Sequence, residues 1–193
     1  MSHQPGTIRS FIAIELPGQV IEAIKKLQED LRKYGLGIRW VRPENIHLTL
    51  KFLGNISEED VAPITSVLKT ATDTTEPFHL RGQGLGIVPG ISRPQVIWIG
   101  MSGDVEPLKQ FQLRVEEGLE QLGFPKEKRP FRSHLTIGRV KGKLEKRILL
   151  EAIEQLGIFE SDSFIADSII LFRSDLQRSG AVYTKLAEVP LRI

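Results

Sequence analysis

The 193 residues include no cysteine, which at once excludes disulfides, thiolate zinc sites, iron–sulfur clusters and a cysteine nucleophile. There is also no run of eighteen apolar residues of the kind a membrane-spanning helix needs. The opening MSHQPGTIRS lacks the apolar stretch of a secretory signal, so the expectation is a soluble cytoplasmic protein. A strong charge of either sign is missing too. With 26 Lys and Arg against 24 Asp and Glu, the net charge is +2, too mild to mark a nucleic-acid protein by itself. What remains for chemistry at neutral pH is chiefly the four histidines.

Two of those histidines sit in near-repeated stretches, NIHLTLKFLG at 45–54 and RSHLTIGRVK at 132–141. In the first, Ile46, Leu48, Leu50 and Phe52 alternate with His47, Thr49 and Lys51, the pattern of a half-buried strand with one polar face. The second places His134 and Thr136 in the same register. Around each motif the order is strand, helix, motif strand, helix. RSFIAIEL (9–16) reads as a strand before a helical stripe of Val20, Ile24, Leu27, Leu31 and Tyr34 that stops at Gly35. PFHLRGQG and PQVIWIG read as strands joined by the turn-rich GLGIVPGISR.

Further helices are expected after the Ser57–Asp60 capping box, after Asp104 as cap, and near 144–156. SFIADSIILF and AVYTKLAEV close the chain as strands. The offset between the histidines, 134 minus 47, is 87 residues. This describes a diverged internal duplication in an α+β chain: two pseudo-symmetric lobes, each an antiparallel sheet with helices, around a central cleft. Residues 1–193 are read as one bilobal domain, with 40% hydrophobic content to fill its core.

On a strand, positions i and i+2 share a face roughly 6–7 Å apart, so His-x-Thr can hold one small group between its side chains. Histidine gives or takes a proton, and threonine donates to an anionic oxygen. Two such pairs supply an acid, a base and two donors, the set needed for in-line displacement at a phosphodiester without a metal. His79 has arginine where threonine would stand, and His3 lies near the terminus; both are read as non-catalytic.

Competing motifs are weaker. GQGLGIVPG is followed by a strand rather than by the helix a phosphate loop requires. No Gly-x-Ser-x-Gly is present, and Ser133 faces away from His134. Neither motif strand carries an obvious carboxylate to complete a metal site. Arg139 falls on the face opposite His134 in a regular strand, unless a bulge at Gly138 redirects it. From 126 to 147 nine cations stand against two acids, a local +7.

These motifs, together with RSFIAIELP, RWVRPENIHLTLKFLG, RPQVIWIG and HLTIGRV, resemble the two-histidine (2H) phosphoesterases. Within these, they resemble the RNA 2′,3′-cyclic phosphodiesterases of LigT type, also called 2′-5′ RNA ligases. The resemblance implies a bilobal fold and no metal or nucleotide cofactor. It implies His47 as proton donor to the leaving 3′ oxygen, His134 as proton acceptor activating water, and Thr49, Thr136 and Arg139 as phosphate ligands. The implied substrate is RNA ending in a 2′,3′-cyclic phosphate, opened to a 2′-phosphate, with reversible 2′-5′ RNA ligation as a further activity; the protein is expected to be a monomer. Ser133 departs from the family, where proline commonly precedes the second histidine. Two other readings stay open: a phosphodiesterase for small cyclic nucleotides or 2′-5′ linkages, and, from the basic run, an RNA-binding protein that uses the cleft without chemistry.

Overall fold

The structure, a computed structural model, describes residues 6–142, 144–178 and 180–192. Along the chain run β1 (Thr7–Ile14), α1 (Gly18–Arg32), β2 (Ile38–Trp40), a 3₁₀ turn (Pro43–Asn45), β3 (Leu48–Ser57), α2 (Val61–Thr72) and β4 (Phe78–Val88). There follow β5 (Val96–Gly103), α3 (Val105–Gln121), β6 (His134–Val140), α4 (Lys146–Leu156), β7 (Phe164–Ala166), β8 (Ser168–Gln177) and β9 (Gly180–Pro190). The strands form two sheets, ordered β3-β1-β8-β9 and β2-β6-β5-β4-β7, and every pairing is antiparallel. The result is the two-lobed α+β architecture expected from the sequence.

The lobes are not the two halves of the chain. The first sheet joins β1 and β3 from the N-terminal half to β8 and β9 from the C-terminal end, and the second joins β5, β6 and β7 to the earlier β2 and β4. Each half therefore sends strands into the other's sheet. One crossing falls inside SFIADSIILF, expected as one strand: it breaks at Asp167 into β7 of the second sheet and β8 of the first.

The helices follow their apolar spacing. Val20, Ile24, Leu27 and Leu31 are the buried stripe of α1, and Leu108, Phe111, Val115 and Leu119 that of α3, each at the i, i+3, i+4 recurrence that lays side chains on one helix face. Gly35, at φ 64°, takes the left-handed conformation that turns the chain away from α1. The Asp60 carboxylate accepts from the Ser57 N–H at 2.7 Å and its hydroxyl at 2.8 Å, the reach-back half of the expected capping box, but α2 begins only after Asp60 and no side chain caps its N-terminus. Asp104 behaves differently from its expected role as a helix cap. Its carboxylate accepts from the backbone N–H of His79 at 2.8 Å, spending its hydrogen-bonding capacity on β4.

Most of the buried apolar residues make one continuous core drawn from both sheets and all four helices. A second, smaller cluster of Phe11, Ala13, Ile170 and Phe172, with Tyr183 against it, covers the other face of the first sheet. The alternation of β1 sorts the two: Ile12 and Ile14 enter the main core, Phe11 and Ala13 the smaller cluster.

Candidate active site

The motif strands start as the alternation predicts and then depart from it in the same way. In β3, Thr49 pairs with Ala13 and Lys51 with the adjacent Ile12, which leaves Leu50 as an extra residue, a β-bulge. In β6, Thr136 pairs with Trp98 and Gly138 with the adjacent Ile97, which leaves Ile137 as the extra residue. Adding the offset of 87 to Leu50 gives Ile137, so the bulges are equivalent. A bulge inverts the facing of the side chains directly after it. Lys51, expected on the polar face, is instead buried at 6% exposure, and Phe52, expected in the core, is 70% exposed.

The same inversion corrects Arg139. The bulge lies at Ile137, one residue before Gly138, and turns Arg139 onto the face of His134 and Thr136. Arg139 is exposed and stands near enough to Tyr183 of the opposite sheet to act on its phenol electrostatically. Tyr183 in turn touches His47, ring centroids 5.3 Å apart and 82° between planes. Residues of both motifs therefore converge on one cleft. Phe52 and Arg139 are counterparts under the offset of 87, one aromatic and one cationic.

Both histidines are held by the chain just before their strands. His47 donates from Nδ1 to the carbonyl of Asn45 at 2.9 Å, and His134 from Nδ1 to the carbonyl of Arg132 at 2.7 Å. A carbonyl can only accept, so Nδ1 carries the hydrogen in each ring and Nε2 is left for proton exchange. Thr49 and Thr136 are half-buried, and neither hydroxyl has a hydrogen-bond partner among the described residues.

The surroundings of the two rings differ. Phe11 stacks on His47 at 4.5 Å and 21°, and Tyr183 closes the edge. This desolvation lowers the His47 pKa to about 4, outweighing the bond to Asn45, which favours the charged form. His134 is exposed, with the edge of Trp98 against it at 6.0 Å and 70°. The Trp98 indole lies flat over Gly86, where a Cβ would come within 2.1 Å of the ring. Burial of Tyr183 raises its pKa, with Arg9 and Arg139 pulling the other way.

Of the remaining candidates, His79 sits exposed on β4, away from both motif strands, and His3 lies outside the described residues. Within the basic run, Lys126 pairs with Glu120 at 3.1 Å and Arg147 with Glu151 at 2.6 Å, while Lys143 is outside the described residues. The local charge is thus partly neutralised by neighbours. Sequence reasoning missed Phe11, Phe52, Trp98 and Tyr183 as site residues. All four sit in ordinary strand patterns, and only the register places them around the histidines.

This is a two-lobed fold that carries the same His-x-Thr pair twice, once at a strand of each sheet. The comparisons agree: the LigT-like phosphoesterase family matches the chain twice, over residues 14–98 and 99–183, and the chain belongs to that family. An RNA 2′,3′-cyclic phosphodiesterase of Methanocaldococcus jannaschii is 35% identical over 94% of this chain and 99% of its own. One from Aeropyrum pernix is 34% identical over 88% and 96%. Among solved structures, one from Thermus thermophilus superposes with a TM-score of 0.79 at 26% identity, covering 96% of this chain and 98% of that one. LigT of E. coli in its apo form gives 0.74 at 25%, with the same coverage. No helix among the described residues is long and apolar enough to cross a membrane.

Proposed function

We propose that this protein hydrolyses the 2′,3′-cyclic phosphate at the end of an RNA to a 2′-phosphate, with the two His-x-Thr strands as its acid–base machinery. The observation that carries the proposal is the matched geometry of His47 and His134. Each is bonded through Nδ1 to the carbonyl two residues before it, which leaves two free ring nitrogens on two lobes for opposite proton transfers.

In this mechanism His134 takes a proton from water as its oxygen attacks phosphorus. The bond from phosphorus to O3′ breaks, and His47 delivers a proton to O3′, leaving the phosphate on O2′. Thr49, Thr136 and Arg139 donate to the nonbridging oxygens and stabilise the charge that builds there. His47 is neutral in the free protein at neutral pH, given a pKa of about 4. The phosphodiester anion beside it favours the charged ring, so the acid is loaded as substrate binds. With the 5′-hydroxyl of a second RNA in place of water, the same two roles give a 2′-5′ phosphodiester; cleavage of that linkage by O3′, with the 5′ oxygen leaving, exchanges them.

The exposed cations of 126–147 suit salt-sensitive contacts with the RNA backbone, and Phe52 offers a flat face to an unstacked base. We take residues 1–193 as one domain, because each sheet is built from both halves, and read the protein as a monomer acting on RNA in the cytoplasm. The test is product analysis on an oligoribonucleotide ending in a 2′,3′-cyclic phosphate, beside the matching mononucleotide. A 2′-phosphate product and a preference for the longer substrate are expected. His47→Ala and His134→Ala should each lower turnover by on the order of 10²- to 10⁴-fold, and near-normal turnover in either variant would reject the mechanism.

A further inference from the structure

A β-bulge takes a carbonyl out of the regular ladder, and a buried carbonyl needs a donor from elsewhere. In both motif strands a buried glutamine on a helix of the other half of the chain donates to it, at Ile137 alongside a backbone N–H. Gln28 on α1, fully buried, donates from Nε2 to the carbonyl of Ile137 at 2.9 Å and to that of Val41 at 2.8 Å. Gln112 on α3, also buried, donates from Nε2 to the carbonyl of Leu50 at 3.3 Å and to Glu116 at 3.0 Å. Ile137 and Leu50 are the two bulge residues. The helix of each half thus grips the bulge of the other half's motif strand.

We propose that Gln28 and Gln112 are positioning residues, a reciprocal pair of brackets that hold the two bulges and so aim Arg139 and Phe52 into the cleft in register with His134 and His47. The inference rests on the proposed phosphodiester chemistry for its catalytic meaning, but the brackets themselves are defined by geometry alone.

The surroundings of each bracket point the same way. Beside Gln112, Glu116 uses its second oxygen for the buried Lys51 ammonium, which also donates to the Pro125 carbonyl at 2.9 Å. Glu116 accepts from the Glu127 N–H at 3.3 Å as well. Leu50, Lys51 and the start of the loop leading to His134 are thereby fastened to one face of α3. Beside Gln28, the Val41 N–H donates to the same Ile137 carbonyl at 3.0 Å. Gly138 lies under Ile38 and Trp40, where a Cβ would come within 2.6 Å of Ile38. The Gln28 Oε1 is buried without a partner among the described residues. The glutamine is thus engaged through its two N–H groups, one for each carbonyl.

Methionine has nearly the shape of glutamine and no donor, so Gln28→Met and Gln112→Met remove the brackets while keeping the packing. Gln28→Asn and Gln112→Asn, too short to reach, serve if a methionine variant does not fold. The readouts are the imidazole NMR signals of His47 and His134, titrated with inorganic phosphate, and turnover on the cyclic-ended oligoribonucleotide. Leu149→Ala in α4, a buried change on a helix that carries neither bracket, controls for general loosening.

The expected pattern is crosswise. The Gln28 variant moves the His134 signal and weakens phosphate binding by about threefold or more as Arg139 loses its aim, and the Gln112 variant moves the His47 signal. Turnover falls on the order of tenfold in each, with KM changing less, since small misplacements act mainly on the reacting geometry. Signals and phosphate affinity unchanged in the folded variants would overturn the proposal. So would a disturbance confined to each glutamine's own half, or the same changes in Leu149→Ala. A wild-type protein that binds phosphate at both histidines yet leaves the cyclic substrate intact would refute the phosphodiesterase reading and leave the crosswise test standing.

Discussion

His47 provides the sharpest test of how this cleft is tuned. Its ring is enclosed by Phe11 at 4.5 Å, the edge of Tyr183 at 5.3 Å and Phe172 at 6.3 Å, and desolvation takes its pKa from 6.5 to about 4. At pH 7 that leaves about one molecule in a thousand protonated, against roughly a quarter for an ordinary histidine. Charging the ring in the free protein therefore costs roughly 3 kcal/mol more than in water, at about 1.4 kcal/mol per pH unit. Replacing Tyr183 by alanine admits water at the ring edge without removing the Phe11 stack, and should raise the midpoint by about one pH unit.

The assay is a pH titration of the imidazole Cε1 protons by NMR, assigned with His47→Gln. A wild-type midpoint between 6 and 7, or a Tyr183→Ala midpoint still at about 4, would refute the desolvation argument. The same perturbation has a thermodynamic face. The unfolded chain binds the proton near 6.5 and the native one only near 4, so the native state gains stability as pH rises through that window. The contribution is full above about 6.5 and lost as pH falls towards 4, up to roughly 3 kcal/mol. Denaturant titrations of wild type and His47→Gln across pH 4–7 should diverge by that amount, with the variant the flatter of the two.

Three further outcomes follow from the geometry. Lys51→Met strands the Glu116 carboxylate in the interior and should cost about 3–5 kcal/mol in chemical denaturation, while the double change with Glu116→Leu should recover much of it; an equally unstable double variant would contradict the account. Phe52→Ala removes an exposed ring and should weaken binding of an oligoribonucleotide by about 1–3 kcal/mol in a fluorescence titration with little change in thermal midpoint. Arg139→Ala should lower kcat/KM by on the order of 10²-fold and leave the fold intact by circular dichroism, whereas an arginine facing away from the cleft would leave kcat/KM unchanged.

Much of this was legible in the sequence because it depends on local periodicity. The helical stripes, the start of each motif strand and the duplication all follow from spacings of two and of three to four residues. The residues that aim the site were not legible, because a bulge leaves no local mark: Leu50 and Ile137 look like ordinary apolar members of an alternating strand. What inverts the facing after them is the partner register, with Ile12 and Ile97 each taking the residue beyond the bulge. Lys51 looks like a surface lysine until Glu116, 65 residues away, is brought beside it. Asp167 gives no warning that the chain changes sheets there, and the short β2 is set by the edge of β6 that it pairs with. The contacts that decide these points are long in sequence, and no window on the chain contains both partners.

The exchange of strands between the lobes has a consequence for how such a molecule could be divided or have arisen. Residues 14–98 and 99–183 each match the family, yet neither segment contains a complete sheet, because β4 lies beside β5 and β8 beside β1. A single repeat could bury its sheet edge only by lending a strand to an identical copy, as an intertwined dimer with its two-fold axis running through the cleft. On that axis a phosphate would meet one histidine and one threonine from each copy. In a single chain the two sides are free to differ, and they do so at the pair Phe52 and Arg139.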